Sequence, residues 1–201
     1  MLFVCHRINN SNDLSKVESN YGVELDLRDD NDKIIISHDP FTKGEHFDNY
    51  LESFVINHRK NIIILNVKSE RIEYRILEML KKYNINNYFF LDCSFPMIYQ
   101  LNKIGEKNIA IRYSEFESIE NVILAKDMVK WVWVDCFNKF PLTKEHYDII
   151  KSFNLKICLV SPELQGHDID MISEFKNIIN VNNFEIDAIC TKSYNIEKWK
   201  M

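Results

Sequence analysis

Residues 62–93 read IIILNVKSERIEYRILEMLKKYNINNYFFLDC. The opening run, 62–68, is apolar and rich in β-branched residues, the composition of a buried strand. From Ser69 the period changes. Ile72, Ile76, Leu77, Leu80 and Tyr83 recur at spacings of three and four and make one apolar face, which predicts a helix over 69–83 with Ser69 as its N-cap. Residues 88–93 then return to a short apolar run. Strand, helix and strand in that space make a parallel β/α unit, because parallel strands need a crossover between them.

The same rhythm extends outward in both directions. Further strands are expected at 2–5, 22–27, 109–113, 131–135, 156–161 and 187–191, and further helices at 95–104, 116–128, 143–153 and 168–182. Residues 33–37 read as an extra short strand directly after the second, and the segment 7–21 is too short for a full helix and its loops. Eight strands alternating with helices predict an α/β fold, a compact (β/α)8 TIM barrel with a short strand inserted after the second barrel strand. The whole of 1–201 is expected to form this one domain, at the lower edge of barrel lengths, which begin at roughly 200 residues.

Composition narrows the classes of function. Hydrophobic residues make up 46% of the chain, enough for a sizeable core, and 4 Gly and 4 Pro exclude a flexible or low-complexity linker. The net charge is -5 and the signs are mixed along the chain, so no basic stripe offers itself to nucleic acid. The five cysteines lie in or at the ends of apolar runs with no CxxC spacing, which predicts reduced core thiols and a cytoplasmic protein. No stretch is long enough to span a bilayer, and MLFVC is too short for a signal peptide. The oligomeric state stays open.

In a barrel of this kind, chemistry gathers at the C-terminal ends of the strands. Those ends carry His6 and Arg7, then Glu24, Asp26 and Arg28, then Asn66 and Lys68, Asp92, Arg112, Asp135, Ser161 and Glu163, and finally Thr191 and Lys192. Polar strand ends ordinarily just meet solvent. Glu24 and Asp26 differ because they lie within the strand GVELDL and, at i and i+2, project from one face. Two carboxylates that close raise each other's pKa unless a cation sits between them. They read as a metal cradle or as an ion pair with Arg28 or Lys68. His38 and Asp39 follow on the far side of a short acidic loop, where Asp39 either orients His38 or caps a turn. His46, His58, His146 and His167 read as surface residues, and WVWVDCF (131–137) as barrel packing.

HR after the first strand, ELD on the second, HD after a short hairpin and NVK on the third together resemble the glycerophosphodiester phosphodiesterase family. Its order is His-Arg-Gly, Glu-x-Asp, His-Asp and Glu-x-Lys on a (β/α)8 barrel, and DAICTKSY (187–194) resembles its closing strand. Phosphatidylinositol-specific phospholipase C is a related barrel. The resemblance implies a phosphoric diester hydrolase acting on a small-molecule phosphodiester. It implies Glu24, Asp26 and Asn66 as ligands of a divalent cation, Mg²⁺ or Ca²⁺. His6 and His38 would be general acid and base, Arg7 would hold the phosphate, Lys68 would stabilise its developing charge, and Arg112 is a second candidate for binding the anion. Three departures stand out. Asn66 takes the place of the third metal carboxylate, Ile8 takes the place of the glycine, and the family's Glu-Asn-Thr segment has no counterpart in INNSNDLSKVES (8–19). Two competing readings follow: a non-catalytic barrel binding a phosphorylated metabolite or polysaccharide precursor, and a lyase or isomerase using Lys68.

Overall fold

The computed structural model describes residues 1–58 and 60–200. The first half of the chain forms β1 (Leu2–Cys5), α1 (Ser11–Leu14), β2 (Gly22–Asp30), β3 (Lys33–Ile36), β4 (Glu45–His46), α2 (Phe47–Asn57), β5 (Ile63–Val67), α3 (Glu73–Lys82), β6 (Tyr88–Leu91) and α4 (Phe95–Lys103). The second half forms β7 (Ala110–Tyr113), α5 (Ile119–Ala125), β8 (Trp131–Val134), α6 (Lys144–Ser152), β9 (Lys156–Val160), α7 (Met171–Val181), β10 (Ala188–Thr191) and α8 (Ile196–Lys200).

Parallel pairing runs from β6 through β5, β2, β1, β10, β9 and β8 to β7. One parallel bridge, Phe90 to Ile109, links β6 back to β7 and completes the circuit, with the Phe90 N–H donating to the Asn108 carbonyl at 2.8 Å. The eight-stranded barrel expected from the strand rhythm is therefore present. The inserted strand is present too: β2 continues past the barrel and turns back through a two-residue loop into β3, with Asp30 opposite Lys33. Asn31 supplies the left-handed backbone that the turn needs (φ 56°).

Alternation along each strand divides the side chains. Val23, Leu25 and Leu27 of β2 face outward with Ile63 and Leu65 of β5, and pack with Ile76 and Leu80 of α3. The inward set is apolar at most positions, including Val4, Ile64, Phe89, Leu91, Trp131, Trp133, Cys158 and Val160. Glu24 and Asp26 occupy the inward positions of β2, fully buried, and Asn66 stands in register with Asp26 on β5. Along this wall, polar groups reach deep into the barrel.

Several local expectations are corrected. The helix after β5 begins at Glu73, with Ile72 in the cap position and no side-chain cap; Ser69 instead accepts a long 3.4 Å hydrogen bond from the Asp29 N–H. The helix expected from 116 starts only at Ile119, because the Ser114 hydroxyl accepts from the N–H groups of Phe116 and Glu117 and holds them in a turn. Helix α2 is additional to the expected helices, although Phe47, Tyr50, Leu51 and Phe54 mark its buried face at helical spacing, and so is the short α8. His58 is no surface residue: it is 3% exposed and its ring stacks 5.9 Å from that of Phe54. Among the described residues, no helix is long and apolar enough to cross a membrane.

Candidate active site

The first strand delivers His6 and Arg7 to the barrel mouth. Arg7 sits in the left-handed region (φ 54°), uncommon for a residue with a side chain and characteristic of constrained functional positions. The conformation turns its backbone N–H onto Glu24 Oε2 at 2.8 Å while its guanidinium donates to His38 Nε2 at 2.6 Å. Arg7 Nε also lies 3.8 Å from Asp26 Oδ2. One residue thus links both carboxylates and the second histidine.

Glu24 Oε2 stands 3.8 Å from His6 Nε2, and Glu24 Oε1 accepts from the Asn66 amide at 2.9 Å. Asp26 Oδ2 accepts from Asn9 Nδ2 at 2.9 Å, and the Asp26 N–H donates back to Asn9 Oδ1 at 3.0 Å. Burial first, and then the neighbouring Asp26, push the Glu24 carboxyl up to about 7. Asp26 Oδ1 and Asn66 Oδ1 are buried acceptors that receive no hydrogen bond, and Lys68 Nζ lies 3.7 Å from the former.

These facts bear on a metal. Among the described residues, no group of three or more His, Cys, Asp or Glu is disposed to hold one. The set available is two carboxylates and one amide oxygen, on facing positions of two paired strands. All three are oxygen donors of the kind hard divalent cations take. Two orphaned acceptors, and a carboxyl pushed upward by burial and by the like charge of Asp26, fit a cation at Glu24, Asp26 and Asn66.

The remaining cations ring the mouth. Lys68 Nζ donates to Asp92 Oδ2 at 2.9 Å, and Arg112 bridges Asp92 (2.5 Å) and Asp135 (2.8 Å). Asp92 also has positive φ (65°). Burial alone would raise its carboxyl, yet hydrogen bonds and charge from Arg112 and Lys68 hold it below the usual range. Arg28 does not pair with the carboxylates of its own strand; it donates to the backbone carbonyls of His38 (2.9 and 3.1 Å) and Lys68 (3.1 Å), fixing two site residues at once.

The two histidines sit in unlike surroundings. Burial, followed by the charges of Lys192, Arg7, His38 and Lys68, lowers His6 to about 3, so its ring is uncharged near neutral pH. Lys192 Nζ lies 3.1 Å from His6 Nδ1, which leaves the ring proton on Nε2, facing Glu24. His38 is held the other way round: Nε2 faces the Arg7 guanidinium, so the proton is on Nδ1, 2.8 Å from Asp39 Oδ1. Asp39 therefore orients His38 rather than merely capping a turn.

His6, Arg7, His38, Asn66, Lys68 and Arg112 all line one cavity of about 330 Å³, with Glu24 and Asp26 buried behind it. The eight candidate positions thus converge. Asn9 escaped the sequence reading altogether, since nothing in INNSNDLSKVES marks it; only the fold puts it against Asp26. Lys192, Asp92 and Asp135 carried a signal, as polar residues closing apolar strands.

No family model and no curated protein matches the chain. Solved structures do. One from Galdieria sulphuraria, described provisionally as a glycerophosphodiester phosphodiesterase, superposes with a TM-score of 0.73 at 14% identity, covering 100% of this chain and 98% of that one. A glycerophosphodiester phosphodiesterase from Agrobacterium tumefaciens str. C58 gives 0.66 at 12% identity, covering 100% and 99%. Another structure from that organism, described provisionally as a glycerophosphoryl diester phosphodiesterase, gives 0.67 at 11%, covering 100% and 97%. Along its whole length, then, this chain has the (β/α)8 fold of the glycerophosphodiester phosphodiesterases.

Proposed function

We propose that this protein is a metal-assisted phosphodiesterase that cleaves a small, polar phosphodiester with His6 and His38 as its proton-transfer pair. The observation that carries this reading is the shared cavity: two histidines, Arg7, Lys68 and Arg112 around one opening, over two buried carboxylates. A phosphodiester is anionic and resists attack, so its cleavage needs positive charge fixed where charge develops. Arg7 and Lys68 supply that charge, with Arg112 at the rim. His38, with its lone pair on Nε2 and Asp39 behind it, is set to take the proton of the attacking hydroxyl or water. His6 is uncharged in the free site through burial and its neighbouring cations; the arriving anion offsets those cations and favours the imidazolium, the form that gives a proton to the departing alkoxide. Glu24, Asp26 and Asn66 would hold a Mg²⁺ or Ca²⁺ ion, whose chemistry is to polarise the phosphoryl oxygens. The products are a phosphomonoester and an alcohol, or a cyclic phosphodiester where a substrate hydroxyl attacks.

The test is a phosphodiester screen with and without chelator, beside Glu24→Ala combined with Asp26→Ala. The double variant should bind neither Mg²⁺ nor Ca²⁺ by calorimetry and should lose turnover while keeping its far-UV circular dichroism. Full activity in that variant, or in wild type with excess EDTA, sinks the metal role. One observation favours a second reading, a barrel that binds a phosphorylated ligand without cleaving it: Asn66 leaves the cradle one charge short of three carboxylates. Phosphate-ester binding without turnover across the screen would favour that reading. The five cysteines are all free and their thiols buried or half-buried, which supports a reducing, cytoplasmic setting.

A further inference from the structure

Exposed apolar side chains scattered singly over a surface are ordinary and call for no explanation. Here the exposed phenylalanines are gathered at one end of the molecule. Among the described residues they are Phe41, Phe95, Phe116 and Phe137. They lie on the β3–β4 loop, at the start of α4, and on the loops after β7 and β8, all at the mouth of the barrel. Tyr194, 77% exposed, follows β10 at the same end. Phe116 and Phe137 meet across neighbouring loops with ring centroids 5.7 Å apart, and Phe137 lines the cavity. Phe41 is fully exposed three residues past His38, in left-handed backbone (φ 61°) that a bulky residue rarely adopts. Its turn is closed behind it, because the Ser37 and Thr42 hydroxyls both donate to the Asp39 carbonyl, at 3.0 and 2.9 Å. The chain thus holds an aromatic ring out in water in a strained conformation, which packing does not account for.

We infer that this rim docks on a lipid bilayer with anionic headgroups, its rings entering the interface and the mouth of the cavity set against the headgroups. The inference goes beyond the phosphodiesterase reading and does not depend on it.

The chemistry of the rim selects this partner. Aromatic rings seat at the boundary between headgroups and acyl chains. On three of the loops a lysine stands two residues from a ring: Lys43 beside Phe41, Lys139 beside Phe137 and Lys192 beside Tyr194. Lys43 and Lys139 are exposed, and among the described residues neither pairs with a carboxylate. Acids of the same end are engaged. Glu115 accepts from the N–H groups of Phe137, Asn138 and Lys139 at 3.1, 2.9 and 2.8 Å, and so fixes the loop that presents Phe137. Glu163 accepts from the Thr191 hydroxyl at 2.6 Å, and Asp39 from His38 at 2.8 Å. Exposed lysines beside inserted rings are drawn to an anionic leaflet at short range. A protein seated on this rim would close the cavity, whereas a bilayer brings phosphate groups to its mouth.

The experiment sediments the full protein with vesicles of phosphatidylcholine alone, and of phosphatidylcholine mixed with phosphatidylglycerol, at low and at high salt. The protein should pellet with the phosphatidylglycerol vesicles, and less so as salt is raised. Phe41→Asn removes a ring and places in the turn a residue that tolerates left-handed backbone. It should melt no lower than wild type, yet bind these vesicles roughly tenfold more weakly, as loss of one inserted ring requires. Lys139→Gln should weaken binding roughly fivefold, the share of one lysine near the surface. Wild-type protein left in the supernatant overturns the inference and leaves the rim to a protein partner. Binding unchanged by both Phe41→Asn and Phe116→Ser overturns it as well. Sedimentation needs no ester to be cleaved, so docking without turnover would support the surface while the reaction failed. Turnover of a soluble diester without docking would do the reverse.

Discussion

Asp39 is 74% exposed at its side chain, yet it fixes which nitrogen of His38 carries the proton. Asp39→Asn keeps the shape and loses the charge that holds that tautomer, so turnover should fall by roughly tenfold, less than the 10²–10⁴-fold expected for His38→Ala. A pH–rate profile separates positioning from folding, since only loss of positioning shifts its limbs; a superimposable profile would free Asp39 of the role. Asp92 makes the complementary case, in stability. Its folded pKa lies below the unfolded value of about 3.9, so its contribution is present in full above that pH and is lost as the pH falls through the folded value. Asp92→Asn should therefore melt below wild type at pH 6, with the two melting curves converging toward pH 2. A gap that widens with acid would reverse the assignment.

The β3–β4 hairpin is the element that brings His38 to the mouth. Its loop is pinned at several points: the Ser37 N–H donates to the Asp26 carbonyl at 2.9 Å, and Glu45 accepts from the Ser11 N–H (2.7 Å) and hydroxyl (2.5 Å). Gly44 lies so close to β3 that a Cβ there would fall 2.2 Å from the Ile36 carbonyl oxygen, a backbone atom with nowhere to go. Gly44→Ala should force the hairpin apart, lowering both the melting temperature and turnover, while Mg²⁺ affinity at the β2–β5 wall changes little. Normal turnover would show that His38 does not depend on this hairpin. Elements such as this one also mark what the sequence could say. The strands of the barrel, and the histidines, carboxylates and basic groups on them, were legible because each apolar run is short and ends in a polar group. Asn9 and the depth of His58 were not, because each depends on what another element brings alongside. Helix α2 was legible in the spacing of Phe47, Tyr50, Leu51 and Phe54, although the sequence analysis does not assign it.

On the scale of the whole molecule, the circuit of strands is uneven. β2 and β5 share five register pairs and β1 and β10 share four, whereas β6 and β7 meet at the single bridge of Phe90 and Ile109. Free energies of local opening follow such differences. Hydrogen exchange followed by mass spectrometry should find peptides covering 88–91 and 109–113 exchanging sooner than those covering 63–67; equal protection would mean that side-chain packing closes the seam as firmly as a full ladder. The position of the seam has a further consequence. It divides the barrel between a leading half, which holds His6, His38, Arg7, Lys68 and the two buried carboxylates, and a trailing half, which holds Arg112, Asp135 and Lys192. The site thus draws on two stretches of chain, joined through the exposed residues around Gly105. A chimaera that keeps residues 1–104 and borrows the trailing half of another barrel of this kind keeps Glu24, Asp26 and Asn66 but replaces the lysine beside His6, so it should bind divalent cation as wild type does and differ in the pH dependence of any turnover.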